Sequence, residues 1–178
     1  MLPELESERL VLRETQPEDA AFLEAYQNGP DHWRLQAVEP ENFANGVQRV
    51  EGYHKYQGSG ADRRLYDFVA REKETNTPIG QASLNRSGST LASIGFSVAK
   101  DFRGQGFAVE MAARVIAYGF DELKLHRIAA DIAIENEASR RIAEKIGMAH
   151  EGTARDCIWA QGKWWTEAKY AILEGDPR

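Results

Sequence analysis

The sequence predicts an α/β fold: one domain over residues 1–178, with a mixed, mostly antiparallel sheet of seven strands flanked by about four helices. Three observations carry this expectation. Runs that alternate apolar and polar residues, or stay apolar over seven or eight positions, recur along the chain as strands do. Three of them, at 65–71, 79–85 and 91–98, are separated only by KETNTP and RSGS, connections too short for crossovers and therefore antiparallel. The segments 91–98, 106–122 and 126–134 then have the form of a right-handed strand-helix-strand crossover, which makes one pair parallel.

In chain order, RLVLR (9–13) alternates apolar and charged side chains as a half-buried strand does. Thr15 and Glu18 have capping-box spacing and Pro17 suits a first turn, so a helix is expected from Pro17 to Gln27, stopped by NGPD (28–31). A weaker helical pattern, diluted by Gly46 and Gly52, covers 40–56, and QGSGAD (57–62) reads as a loop. After the three-strand meander, Met111, Ala112, Val115, Ile116, Gly119, Phe120 and Leu123 share one face of a helix. HRIAADIAI (126–134) is a strand, and a shorter helix runs from Ala138 to Ile146, with Gly147 placed to end it. Two last strands, ARDCIWA and KWWTEAKYAIL, flank a turn at Gln161-Gly162.

Composition narrows the function classes. A net charge of −6 repels polyphosphate backbones, so no nucleic-acid partner is expected, and an acidic balance suits a cationic partner such as a protonated amine. No stretch is apolar enough to cross a bilayer, and MLPELESERL lacks the pattern of a secretory signal, so a cytoplasmic protein is expected. Cys157 is the only cysteine, which fits a reducing compartment, and it reads as a half-buried strand residue. The four histidines show no ligand spacing, and no metal site is expected.

The chemistry concentrates in DFRGQGFAVE (101–110), where a strand meets a helix. A helix N-terminus exposes unpaired N–H groups and partial positive charge. Gly104 and Gly106 remove the Cβ atoms that would keep a ligand from those amides, and Arg103 adds a forked cation. The result is an anion seat of pyrophosphate size, with a tight ligand-free turn as the competing explanation. A P-loop would need Gly-Lys-Ser/Thr where the chain has Phe107-Ala108, and a dinucleotide fingerprint would need a small residue where it has Val109.

The pattern that fits is Arg-x-x-Gly-x-Ala, at Arg103, Gly106 and Ala108. With it, the sequence resembles the GNAT N-acetyltransferases. IENEASRRIAEKIGMAHEG (134–152) is similar to a later segment of that family, and SERLVLRETQPEDA (7–20) to the start of its RimJ/RimL-like branch. The resemblance covers nearly the whole chain.

It implies a GNAT-like domain that takes acetyl-CoA as cofactor and moves the acetyl group to a primary amine by direct attack. Backbone groups of Phe96, Ser97 and Val98 would pair with the pantetheine arm, in a gap between strands 91–98 and 126–134. Amides of Arg103, Gly104, Gln105, Gly106, Phe107 and Ala108 would hold the pyrophosphate. Asn136 would contact the arm across the gap, and Ser139 would protonate the departing thiolate; both could instead simply shape a helix start. An amine with a pKa of ~8 to ~10.4 must lose a proton first, so a general base is expected, unassigned by the sequence. Asp31, His32 and Trp33 fall in a segment that lines the acceptor cleft in relatives, and Asp67, Trp165 and Glu167 are taken as further acceptor-side residues. Solvated carboxylates, core packing or a homodimer contact are the competing readings for these. The acceptor is a protein N-terminal α-amine or a small polyamine, amino sugar or aminoglycoside. A non-catalytic acyl-CoA sensor and an enzyme for longer acyl groups are the rival functions.

Overall fold

The computed structural model of the chain describes residues 2–39, 46–57 and 62–177. Its strands are β1 (Leu5–Glu6), β2 (Leu10–Glu14), β3 (Leu65–Glu72), β4 (Pro78–Arg86), β5 (Leu91–Val98), β6 (Arg127–Ala133), β7 (Ala149–Ala160) and β8 (Lys163–Leu173). The helices are α1 (Ala20–Gln27), α2 (Pro30–Trp33, a single turn), α3 (Gly46–Gln57), α4 (Phe107–Asp121) and α5 (Glu137–Lys145). The strands form one sheet in the order β1-β2-β3-β4-β5-β6-β8-β7, antiparallel at every pair except β5–β6.

Among the described residues the sheet has eight strands, one more than the sequence predicts. The addition is β1, which pairs Leu5 with Leu12 and Glu6 with Val11. Two residues are too short a run to show alternation. β7 starts at Ala149, five residues before the expected Ala154, because it bends through two register shifts that break its period. Of the predicted helix 40–56, residues 40–45 lie outside the described part. The capping pattern at α1 also differs. Asp19 accepts from the Gln16 N–H at 2.9 Å, and Thr15 turns its hydroxyl to Asp67 on β3.

α4 packs on one face of the sheet through Phe107, Met111, Ala112, Val115, Ile116 and Phe120, which join Leu10, Leu12, Phe68, Leu84 and Ile128 in the main core. This is the stripe the 3.6-residue period predicts. On the opposite face Ala20, Leu23 and Val50 from α1 and α3 close over Val69 of β3. Each layer buries the apolar side of an amphipathic element, so the sheet is covered on both faces.

One irregularity positions everything that follows. β5 and β6 pair only at Leu91–Ser93 against Arg127–Ala129. Beyond Ser93, β5 continues bonded to β4 alone, whereas β6 continues bonded to β8 through Ala133. A wedge opens between Ile94–Val98 and Ala130–Ala133, lined by strand edges with backbone donors and acceptors to offer.

Candidate active site

The open end of the wedge leads to the start of α4. After β5 the chain makes one 3-10 turn, Lys100–Phe102, then passes Gly104 at φ +77° and Gly106 at φ +84°. Both angles lie in the left-handed region, where a Cβ is penalised, which explains the two glycines. Gly106 is the N-cap of α4 and supplies no side-chain cap. The first-turn amides therefore point outward without intrahelical partners. Among the described residues, nothing accepts a hydrogen bond from the amides of Gly104, Gln105 or Gly106.

Two arginines shape this loop. Arg103 donates from Nε to the Val98 carbonyl at 3.1 Å, so its guanidinium stands over the end of β5. Arg9, which no sequence pattern singles out, donates from Nη1 to the Gln105 carbonyl at 3.0 Å and pairs with Glu110 at 2.7 Å. Burial raises the Glu110 pKa, but hydrogen bonds from the Arg9 backbone, Ser7 and the Arg9 side chain outweigh it and hold the carboxyl below its ordinary value. A carboxylate in the first turn of α4 is thus neutralised from behind.

Across the wedge, Asn136 is the N-cap of α5. Its Oδ1 accepts from the Ser139 N–H at 3.1 Å, and its Nδ2 donates to the Leu35 carbonyl at 3.4 Å. The Ser139 hydroxyl is half-buried and has no partner among the described residues. Ser139 sits at the third helical position, where its backbone is held by Asn136 while its side chain stays available.

On the face of the sheet away from α4 lies a cavity of about 200 Å³. His32 and Trp33 of α2, Tyr53 of α3, Asp67 of β3, Gln81 of β4 and Gly95–Ser97 of β5 line it. The structure thereby brings together five residues predicted from the sequence: His32, Trp33, Asp67, Phe96 and Ser97. His32 and Trp33 meet edge to face, with ring centres 4.5 Å apart. The side chain of Asp31 lies outside the described part.

A polar network underlies the cavity. Gln81 donates to Asp67 Oδ2 at 2.8 Å, and the Thr15 hydroxyl donates to the same oxygen. Gln27 donates to Gln81 Oε1 at 2.8 Å and to Tyr26 Oη at 2.9 Å, and Tyr26 Oη meets Ser97 Oγ at 2.9 Å. Asp67 is a buried carboxylate, not the solvated strand acid of the competing reading, and burial pushes its pKa up to about 6, with hydrogen bonds from Thr15 and Gln81 opposing. Of this network the sequence pointed only to Asp67 and Ser97. The missed signal is Gln81, a polar residue inside the apolar run IGQASL.

Trp165 and Glu167 are not on the cavity wall. Trp165 is fully buried, donates to the Ala160 carbonyl at 2.9 Å and packs against Ala133 and Ala37, so it supports the segment after α2 from below. Glu167 is buried and bonded to Lys169 at 2.8 Å. Cys157 is exposed, not half-buried, and lies within the register shift of β7 between Ala154 and Ile158. Trp159 and Trp164 are exposed, stacked edge to face on the β7–β8 hairpin. A second, larger hollow of about 470 Å³ lies at the far end of β4 among Arg63, Arg64, Arg86 and Ser87–Ser89, and holds none of the predicted residues. The smaller cavity is the one that reaches the strand bordering the wedge.

Comparison with known proteins gives a consistent picture. Residues 9–149 match a family model described as an acetyltransferase (GNAT) domain. An uncharacterized N-acetyltransferase of Bacillus subtilis, YnaD, is 41% identical over 169 residues, which cover 94% of this chain and 95% of that one. A GNAT-family acetyltransferase from Bacillus anthracis superposes with a TM-score of 0.83 at 28% identity, covering 97% and 99% of the two chains. A spermidine N-acetyltransferase from Vibrio cholerae, crystallised with CoA and spermine, has the same fold, with a TM-score of 0.81 at 24% identity over 93% and 96%.

Proposed function

The chain belongs to the GNAT acetyltransferase family and uses acetyl-CoA, and on that footing we propose that it transfers the acetyl group to a primary amine seated in the cavity beside β5. The observation that carries this reading is the double role of Gly95–Ser97, which border the wedge along one strand edge and line the cavity on one face. An acyl donor in the wedge and an amine in the cavity would meet there.

The residues present fit the cofactor. Outward amides at Gly104–Ala108, left without acceptors, suit a diphosphate, and the guanidinium of Arg103 adds charge. The edge of Ile94–Val98 that β6 leaves unpaired, apart from the Val98 carbonyl held by Arg103, suits the amide-bearing pantetheine arm, and an amide at Phe96–Val98 would polarise a carbonyl. Bound there, acetyl-CoA supplies an activated acetyl thioester. Ser139 would give its hydroxyl proton to the departing sulfur, and Asn136 would hold Ser139 in place through its N–H. The start at residues 7–20 supports assignment to the RimJ/RimL-like branch.

The test is a panel of amines, from N-terminal peptides to polyamines and amino sugars, assayed with acetyl-CoA for free-thiol release. Release with any of them supports transfer. Tight CoA binding with no release from the whole panel would make the protein an acyl-CoA sensor instead.

A further inference from the structure

We propose that the cavity selects an acceptor with two cationic groups, the reacting amine at the wedge and a second ammonium held by Asp67. This rests on the transferase reading and names the substrate class for the same site.

Asp67 is a buried charge without a counter-ion. Among the described residues no Lys or Arg pairs with it, and it is the only carboxylate lining the cavity. The acids behind it have their own cations: Glu14 pairs with Arg63, and Asp19 with Arg13 at 2.9 Å and Arg71 at 3.2 Å. The other titratable groups around it are His32 and Tyr53 in the cavity wall, Tyr26 in the network, and His54, which meets the Thr15 carbonyl at 3.1 Å. Removing an ionised carboxylate from water is costly unless a cation joins it. No described residue supplies that cation, which leaves the place for one on a bound ligand.

The carboxylate is also oriented. Both donors, Thr15 and Gln81, occupy Oδ2, so Oδ1 has no partner among the described residues. Asp67 pairs with Ser83, and Ser83 with Gly95, so the three share one row and one face of the sheet. Two strand spacings separate the first from the last, about 10 Å. That is too far for Asp67 to touch the amine under attack at the wedge, yet within reach of the other end of the same molecule. Gly95 has no side chain to block the path. Trp33, His32 and Tyr53 offer aromatic surface to the methylenes and to the cation between.

Calorimetry on the full chain saturated with CoA tests this without turnover, using hexylamine and the straight-chain diamines of four, six and eight carbons. In the wild type the six-carbon diamine should bind at least ~10-fold more tightly than hexylamine, and Asp67→Asn should erase that difference. A separate titration of CoA into the CoA-free variant reports whether it is folded. A wild-type pH series supplies a variant-free arm: the advantage of the diamine should shrink below pH about 6, where Asp67 takes up its proton. Equal affinity of both ligands in the wild type, or a preference that survives Asp67→Asn, overturns the proposal. So does an equal loss of both ligands in the variant, which would mark Asp67 as a structural or proton-accepting group. Absence of thiol release would sink the transferase reading alone, because these heats do not depend on transfer.

Discussion

Tyr26 Oη and Ser97 Oγ lie 2.9 Å apart, and this contact ties α1, whose Gln27 lines the cavity beside β5, to the strand that borders the wedge. Gln27 donates to the same phenol, so Tyr26 is fixed from both sides. Tyr26→Phe keeps the ring and removes the tie. It should cost about 1 kcal/mol of stability. The KM for the amine should rise roughly three- to tenfold, while affinity for CoA, measured by calorimetry, stays within about twofold. A matching loss of CoA affinity would show that Tyr26 supports β5 as a whole rather than its acceptor face.

Gly106→Ala addresses the other end of the wedge. At φ +84° an added Cβ costs about 1–2 kcal/mol, and relief of that strain would rotate the outward amides away from a shared focus. CoA should bind at least ~10-fold more weakly. Gly104→Ala is the informative companion, because nothing lies within 4 Å of the point its Cβ would occupy and only the φ of +77° opposes it. If both variants bind CoA as the wild type does, these amides do not hold the diphosphate.

Ser139→Ala should leave CoA affinity within about threefold and lower kcat by roughly 10²-fold, the scale of one general acid. The backbone bond from Ser139 N–H to Asn136 persists in the variant, so α5 keeps its cap. Parallel loss of binding and turnover would assign Ser139 to the helix start alone.

The parts of this fold that were legible from the sequence are those written in local periodicity. α4 shows its buried stripe at Met111, Ala112, Val115 and Ile116, and the meander shows three apolar runs with turn residues between. The outward amides ahead of α4 were legible because left-handed backbone demands glycine, and Gly104 and Gly106 announce it. What escaped was whatever depends on pairs distant in sequence. Arg9 and Glu110 are 101 positions apart, and neither stands out from its neighbours as a surface charge. Gln161 looks like a turn residue, yet its Nε2 reaches the carbonyls of Trp33 at 3.1 Å, Gln36 at 2.6 Å and Val38 at 3.0 Å and so positions the cavity wall. Trp165 could be assigned to a strand but not to a face, because Trp164 beside it is equally apolar. Only the register of β8 against β7 decides which of the two is inside.

Asp67→Asn should make the protein more stable near neutral pH, and the sign follows from proton binding. In the folded chain Asp67 titrates near pH 6, against 3.8 for an unhindered aspartate. Between those values the native state holds a proton that the unfolded chain has released, so stability falls as pH rises through that window. Above pH 6 the deficit is complete, on the order of 2–3 kcal/mol. Asparagine carries no charge to desolvate, and its amide oxygen can take the place of Oδ2 and accept from both Thr15 and Gln81. Denaturant melts at pH 7.5 should therefore show a gain of about 2 kcal/mol, and melts near pH 4 almost none. A gain of the same size at both pH values would come from packing and not from the charge. No gain at either would mean that the buried carboxylate is already solvated, and the case for a missing cation would fall with it. A stabilised variant that has lost the preference for a diamine is the expected pairing, because a binding site keeps its charge at the expense of its own fold.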